Sequence, residues 1–266
     1  YVVKQLKETV IPTLERISGI KFDIDRLRQY MRESVKAEED LVAVLQSAKR
    51  RPSPIDGYFG AVYYIGPIFT AFRGTPEASQ FYSLLRQEID ERVRLGKGPI
   101  TPDGEMGEEK YRLVTEGPPN WTSFRDFWKM FYDEGAVVVA STYSKVGGLY
   151  DFGFRHDADN PLESLADYCL GCYTNLNLPS RIDMICKYID EYQADGLLIN
   201  SIKSCNSFSA GQLLILREVE KRTGKPAAFI ETDLVDPRYF SAANVKNRLE
   251  SYFQMIKQKR AAGAAH

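Results

Sequence analysis

Asp195-Gly196-Leu197-Leu198-Ile199-Asn200-Ser201-Ile202-Lys203-Ser204-Cys205 carries its apolar residues in one short block, opened by Gly and closed by polar residues. A block of this length without alternation fits a strand covered on both faces, as in a parallel sheet. Three further blocks share its character: Arg112 to Thr115, Ala136 to Ser141 and Ala227 to Thr232, rich in Val, Ile and Ala. Helical spacing marks the stretches Phe124 to Glu134, Ser180 to Gln193, Ala210 to Thr223 and Ala242 to Lys257. Strands alternating with helices predict an α/β fold, a doubly wound parallel sheet.

Toward the N-terminus the pattern becomes helical. Val3, Leu6, Val10, Leu14 and Ile17 follow helical spacing and stop near Gly19. Asp23 is placed to cap a second helix, with Ile24, Leu27, Met31 and Val35 on one face, ended by Pro52 and Pro54. A third is expected from Glu77 to Leu95, entered through Gly74-Thr75-Pro76. The loop Gly96 to Gly107, rich in Gly and Pro, marks a boundary. The expected organisation is a mainly helical domain over 1–107, a parallel α/β domain over 108–260, and a disordered tail over 261–266. The chain starts without Met inside an expected helix, which reads as a fragment.

Composition narrows the function classes. With 266 residues, 44% of them hydrophobic, the chain can bury one large core or two small ones. A net charge of −1 without long like-charge blocks argues against nucleic acid or anionic membrane as partner. The apolar runs are too short to span a bilayer, and the N-terminus does not read as a signal peptide. Four cysteines without such a signal point to a reducing, cytoplasmic setting and to unpaired thiols.

In open parallel sheets ligands bind beyond the carboxyl ends of the strands. Four loops should therefore converge: Glu116 to Trp121, Thr142 to Tyr150, Lys203 to Asn206, and Asp233 to Arg238. They offer Asn120, Trp121, Ser204, Asn206 and Asp233 as substrate-binding candidates. The long segment Ser144 to Pro179 hangs off the same edge. Asp233, Asp236 and Arg238 fit either a polar ligand or a capping and ion-pair network. Trp121 either walls a pocket or staples the next helix through Phe124 and Phe127.

The thiols differ by position. Cys186 falls on a stripe with Ile182, Ile185 and Ile189 and reads as core. Cys205 follows a buried strand, where Ser207 or Ser209 can cap a helix whose start favours thiolate. Position alone leaves it open between ligand and bystander. Cys169 and Cys172 form a C-x-x-C in which Gly171 permits a tight turn, so both thiolates can reach one metal. A redox pair, coincidence or structural zinc are the rivals, though neither His156 nor His266 has finger-like spacing to the pair. The expectation is that all three thiols face one crevice. No G-x-G-x-x-G, P-loop, H-E-x-x-H or G-x-S-x-G is present.

The run ending in Lys203-Ser204-Cys205, followed by Glu231-Thr232-Asp233 and Asp236-Pro237-Arg238, resembles the benzoyl-CoA reductase / 2-hydroxyacyl-CoA dehydratase family. Arg248 to Phe253 resembles its closing helix, Arg112 to Trp121 with Gly135 to Ser141 its first strand–helix–strand unit, and Phe81 to Arg92 its helical insert. The run Tyr168 to Asn177 is most similar to the reductase branch. The resemblance implies flavodoxin-like domains, a 4Fe-4S cluster, a homologous partner subunit, an acyl-CoA substrate and an ATP-hydrolysing iron–sulfur activator. It makes Cys205 a cluster ligand and puts the other ligand cysteines in an N-terminal domain that this chain lacks. That puts cluster binding by the chain alone in question, with Cys169 and Cys172 as additional ligands or as lining. Low-potential electrons would then reduce an aromatic acyl-CoA, with Tyr143, Tyr173 or water as proton donor and Trp121 and Tyr143 as pocket walls. The alternatives are a 2-hydroxyacyl-CoA dehydratase subunit, which eliminates water, and a non-catalytic CoA-ester-binding scaffold.

Overall fold

The computed structural model describes residues 1–69, 72–145 and 150–264. The four apolar blocks are strands: β1 (Tyr111–Glu116), β2 (Ala136–Ser141), β3 (Gly196–Ile202) and β4 (Ala227–Thr232). They pair in parallel in the order β2-β1-β3-β4. Every residue of β1, β2 and β3 is buried, whereas β4, at the edge, leaves Glu231 exposed.

Eight helices of nine residues or more among the described residues accompany this sheet: α1 (Ile24–Ser47), α2 (Ala61–Phe69), α3 (Pro76–Arg94), α4 (Phe124–Tyr132), α5 (Pro161–Leu170), α6 (Leu178–Glu191), α7 (Gln212–Thr223) and α8 (Ala242–Ala264). Alternate strand residues feed opposite layers. Leu113, Val138, Leu198 and Ile230 meet Phe127, Phe131, Leu249 and Phe253 of α4 and α8. Val114, Val137, Leu197 and Ile199 meet Ile185 and Ile189 of α6, Ile215 and Val219 of α7, and Leu41 and Leu45 of α1. Covering both faces explains the absence of alternation, and each such aliphatic side chain contributes roughly 1.5–3 kcal/mol. The α/β class read from sequence is the class observed.

Local chemistry sets the helix ends. Asp23 accepts from the backbone N–H of Asp25 and Arg26, Thr75 from that of Ala78, and Asn177 from that of Ser180. The N-terminal stretch is helical over Val2–Ser18 with one π turn at Leu6–Val10, and Gly19 closes it at φ 70°. Two helices escaped the sequence reading, α2 and α5. The segment Ser144 to Pro179 therefore contains α5, started by Pro161, besides short turns at Tyr150–Phe152 and Tyr173–Asn175. Residues 261–264 continue α8 rather than forming a separate tail, and 265–266 lie outside the described residues.

Candidate active site at the carboxyl edge of the sheet

The chain steps from β1 outward to β2, then returns across β1 to β3. The strand order thus reverses between β1 and β3, and the carboxyl edge at that point is where a parallel sheet of this winding receives a ligand. Of the loop expected from Thr142 to Tyr150, positions 146–149 lie outside the described residues. Gly117, directly after β1, sits at φ 98°, and a Cβ there would collide with the Asn200 carbonyl oxygen. No other residue lets the two strand ends approach this closely. The Asn200 side chain knits the floor. Its Nδ2 donates to the Pro118 carbonyl at 2.7 Å, and its Oδ1 accepts from Thr232 Oγ1 at 2.9 Å.

Glu116, the last residue of β1, is wholly buried. Tyr173 donates its hydroxyl to Glu116 Oε1 at 3.1 Å, and Gln212 donates its amide to Oε2. Burial pushes the Glu116 carboxyl up to about 7, against the lowering effect of those two donors and of Arg181. Two polar atoms on this floor are buried without a partner among the described residues, Gln212 Oε1 and Asn120 Nδ2. Unpaired buried groups are uncommon and costly, so two at one strand edge mark a place shaped for something other than stability.

The thiol of Cys205 stands half-buried just beyond β3, packed against the core cluster. Cys205 opens a four-residue helical turn, Asn206–Ser209. Neither Ser207 nor Ser209 caps a helix: no side chain caps this turn, and α7 starts from Gly211. Asp233 accepts from the backbone N–H groups of Ser204 at 3.0 Å, and of Val235 and Asp236 at 3.1 Å. These bonds, with the Ser204 hydroxyl foremost, hold its carboxyl at about 2. Asp233 thereby anchors the Cys205 loop. Asp236 and Arg238 form an ion pair with each other, the capping network.

An aromatic cluster lies on the β1 side, with Trp121 packed on the following helix as the staple reading expects. Trp121 is 40% exposed, stacked on Phe124 at 5.4 Å, with Tyr143 edge-on at 6.0 Å. Burial raises the Tyr143 hydroxyl, which is therefore neutral at physiological pH. Tyr173 is placed differently: it is fully buried, stacked on Phe208 at 5.6 Å, with the Arg181 guanidinium 5.0 Å over its ring.

Among the described residues no three His, Cys, Asp or Glu side chains form a group able to hold one ion. Cys169 is exposed at the end of α5, and Cys172, whose thiol burial raises, donates to the Tyr168 carbonyl at 3.5 Å with Cys169 and Arg73 nearby. His156 is engaged by Glu38, both buried. Glu116 and Gln212 were missed by sequence reasoning. The available signal was a carboxylate closing an apolar strand immediately before Gly117-Pro118-Pro119.

The family described as 2-hydroxyglutaryl-CoA dehydratase, D-component, matches residues 1–256. The chain is 77% identical over 260 residues to a benzoyl-CoA reductase subunit of Thauera aromatica, covering 98% of this chain and 60% of that protein. It is 28% identical over 261 residues to the (R)-2-hydroxyisocaproyl-CoA dehydratase alpha subunit of Clostridioides difficile, covering 97% and 60%. With the (R)-phenyllactyl-CoA dehydratase alpha subunit of Clostridium sporogenes it shares 26% over 255 residues, covering 96% and 59%. The chain thus spans about 60% of the length of these relatives.

Proposed function

The chain belongs to the 2-hydroxyglutaryl-CoA dehydratase D-component family, and from that premise we propose that it is part of one subunit of an ATP-dependent, iron–sulfur reductase of aromatic acyl-CoA esters. The observation that carries this reading is the identity gap, 77% to a benzoyl-CoA reductase subunit against 28% and 26% to dehydratase subunits. Pocket chemistry separates substrates through a few contacts, so relatives this close generally share theirs while distant ones diverge. A homologous partner subunit and an ATP-hydrolysing activator belong to the same proposal. So does a cytoplasmic setting, in keeping with the lack of any helix among the described residues long and apolar enough to cross a membrane.

Each part of the crevice has a role in this reading. The Trp121–Phe124–Tyr143 wall offers flat apolar faces to an aromatic acyl group. Ser204 and Asn206 flank the thiol at the opposite rim, and Asp233 fixes that loop. The unpartnered Asn120 amide is a donor for a carbonyl oxygen. Tyr143, half-buried beside the wall and neutral, is the proton donor of choice over Tyr173, whose hydroxyl is committed to Glu116.

Among the described residues no group of three His, Cys, Asp or Glu side chains could hold a metal ion. Cys205 stands just beyond β3, and we assign it one ligand position toward an iron–sulfur cluster of the complete subunit. The chemistry such a cluster supplies is low-potential single-electron delivery.

The test is electron accounting in the complete complex with its activator. A reductase consumes reductant in proportion to the aromatic acyl-CoA converted. A dehydratase needs electrons only in catalytic amounts and releases an enoyl-CoA from a 2-hydroxyacyl-CoA. Turnover of a 2-hydroxyacyl-CoA with no sustained use of reductant would replace this reading with the dehydratase one.

A further inference from the structure

Resting on the reading above, we infer that Glu116, as a neutral carboxylic acid, is the positioning residue that holds the Cys205 turn at the crevice. Glu116 reaches that turn from both sides. On one side its Oε2 takes the amide of Gln212, the first residue of α7, just beyond the turn. On the other its Oε1 takes the Tyr173 hydroxyl at 3.1 Å, Tyr173 stacks on Phe208 at 5.6 Å, and the Phe208 N–H donates to the Cys205 carbonyl at 3.2 Å. Arg181 ties the same two segments together, donating to the carbonyls of Thr174 at 2.6 Å, Leu176 at 3.1 Å and Ser207 at 2.9 Å. The carboxyl at the end of β1 is therefore the hub on which the thiol-bearing segment is registered to the sheet.

The geometry also selects the protonation state. The titratable or charged groups facing Glu116 are Tyr173 from the loop before α6, Arg181 from α6, and Tyr58 from the segment before α2. Gln212 from α7, Thr142 after β2 and Asn200 of β3 are neutral. Arg181 acts only through space, its donors being spent on three carbonyls. An ionised carboxylate here has two neutral donors and no contacting cation, an expensive way to bury a charge. A neutral carboxylic acid carries no such cost. Burial accordingly lifts Glu116 to about 7.

Opening of the turn releases Glu116 to an ordinary carboxylate, so opening becomes easier as pH rises between the two pKa values and no easier beyond the higher one. The experiment is amide hydrogen exchange, read by mass spectrometry on peptides covering residues 203–211, in the complete complex as wild type and as Glu116→Gln. Taking the ratio at each pH cancels intrinsic exchange. The ratio of wild-type to variant exchange is expected to rise by about tenfold per pH unit from pH 5.5 to 7 and then level off. Peptides from α4 should show a flat ratio. Tyr173→Phe, which cuts one of the two links, is expected to raise exchange of the turn severalfold at every pH. A pH-independent ratio for residues 203–211, or no rise in Tyr173→Phe, would overturn the proposal. Because exchange needs no turnover, failure of the reductase reading would show separately, as the absence of reductant consumption.

Discussion

Arg112 and Glu116 lie at opposite ends of β1, both wholly buried, and the protein treats their charges in opposite ways. At the amino end every guanidinium nitrogen is employed. Nε donates to Tyr192 O at 2.9 Å, Nη1 to Arg50 O at 3.0 Å and Glu109 at 2.6 Å, and Nη2 to Ala48 O at 2.6 Å. That knot fastens the end of α1 and the turn after α6 beneath the sheet. At the carboxyl end, among the described residues, the carboxyl lacks a contacting cation, and the neighbouring Gln212 and Asn120 each leave a buried polar atom unpaired. One end of the strand is finished for stability, and the other leaves polar atoms unsatisfied where the proposed function puts its chemistry. Strain and unpaired polarity concentrate where a fold gives up stability for a site.

The largest expected effect comes from breaking the finished end. Arg112→Met leaves Glu109 and three carbonyls without their donor and should destabilise by about 3–5 kcal/mol, measured by denaturant unfolding. A loss under about 1 kcal/mol would mean the knot is ornamental. Next is the pH dependence of the unsatisfied end. Glu116 holds its proton in the folded protein up to about 7, against 4.5 when exposed. Its contribution is fully present below 4.5 and is lost as pH rises through 7, up to ~3 kcal/mol. Glu116→Gln should flatten that part of the unfolding profile and leave a smaller slope from Asp56, raised by burial to about 6.

Gly117→Ala tests whether the strand ends must approach so closely. Left-handed backbone and the contact with the Asn200 carbonyl predict a loss of about 2–3 kcal/mol. The crevice should be distorted with it, so that KM for the acyl-CoA rises in a variant that still folds. Smallest in stability is Trp121→Ala, about 1 kcal/mol or less because the ring is 40% exposed. Its effect should fall on KM, and an unchanged KM would remove Trp121 from the pocket wall.

The same contrast explains what sequence could and could not tell. Strands covered on both faces write themselves as uninterrupted apolar blocks, so β2, β3 and β4 were legible to the residue and β1 to within one. Parallel winding then indicates which edge gathers loops. What a linear pattern does not encode is the part of that edge each loop reaches. Cys169 lies at the end of α5, a helix hidden in what read as a loop, and Cys172 just beyond it faces Arg73 rather than joining Cys205 in one ion-holding group. Tyr173 looked like a group facing substrate and is instead packed beneath Phe208 with its hydroxyl on Glu116. Glu116 itself read as the first residue of a converging loop, not as a buried carboxyl. Its partners Gln212 and Tyr173 arrive from distant points in the chain, and no local spacing announces that.

In the proposed function, the thiol beyond β3 is where the complete subunit binds iron. The most direct test is Cys205→Ser in the anaerobically purified complex, with iron and acid-labile sulfide measured per complex alongside a circular dichroism check that the fold is intact. A marked loss of both iron and sulfide in a folded protein is the predicted result. Unchanged iron and sulfide, with reductant-dependent activity surviving, would contradict it.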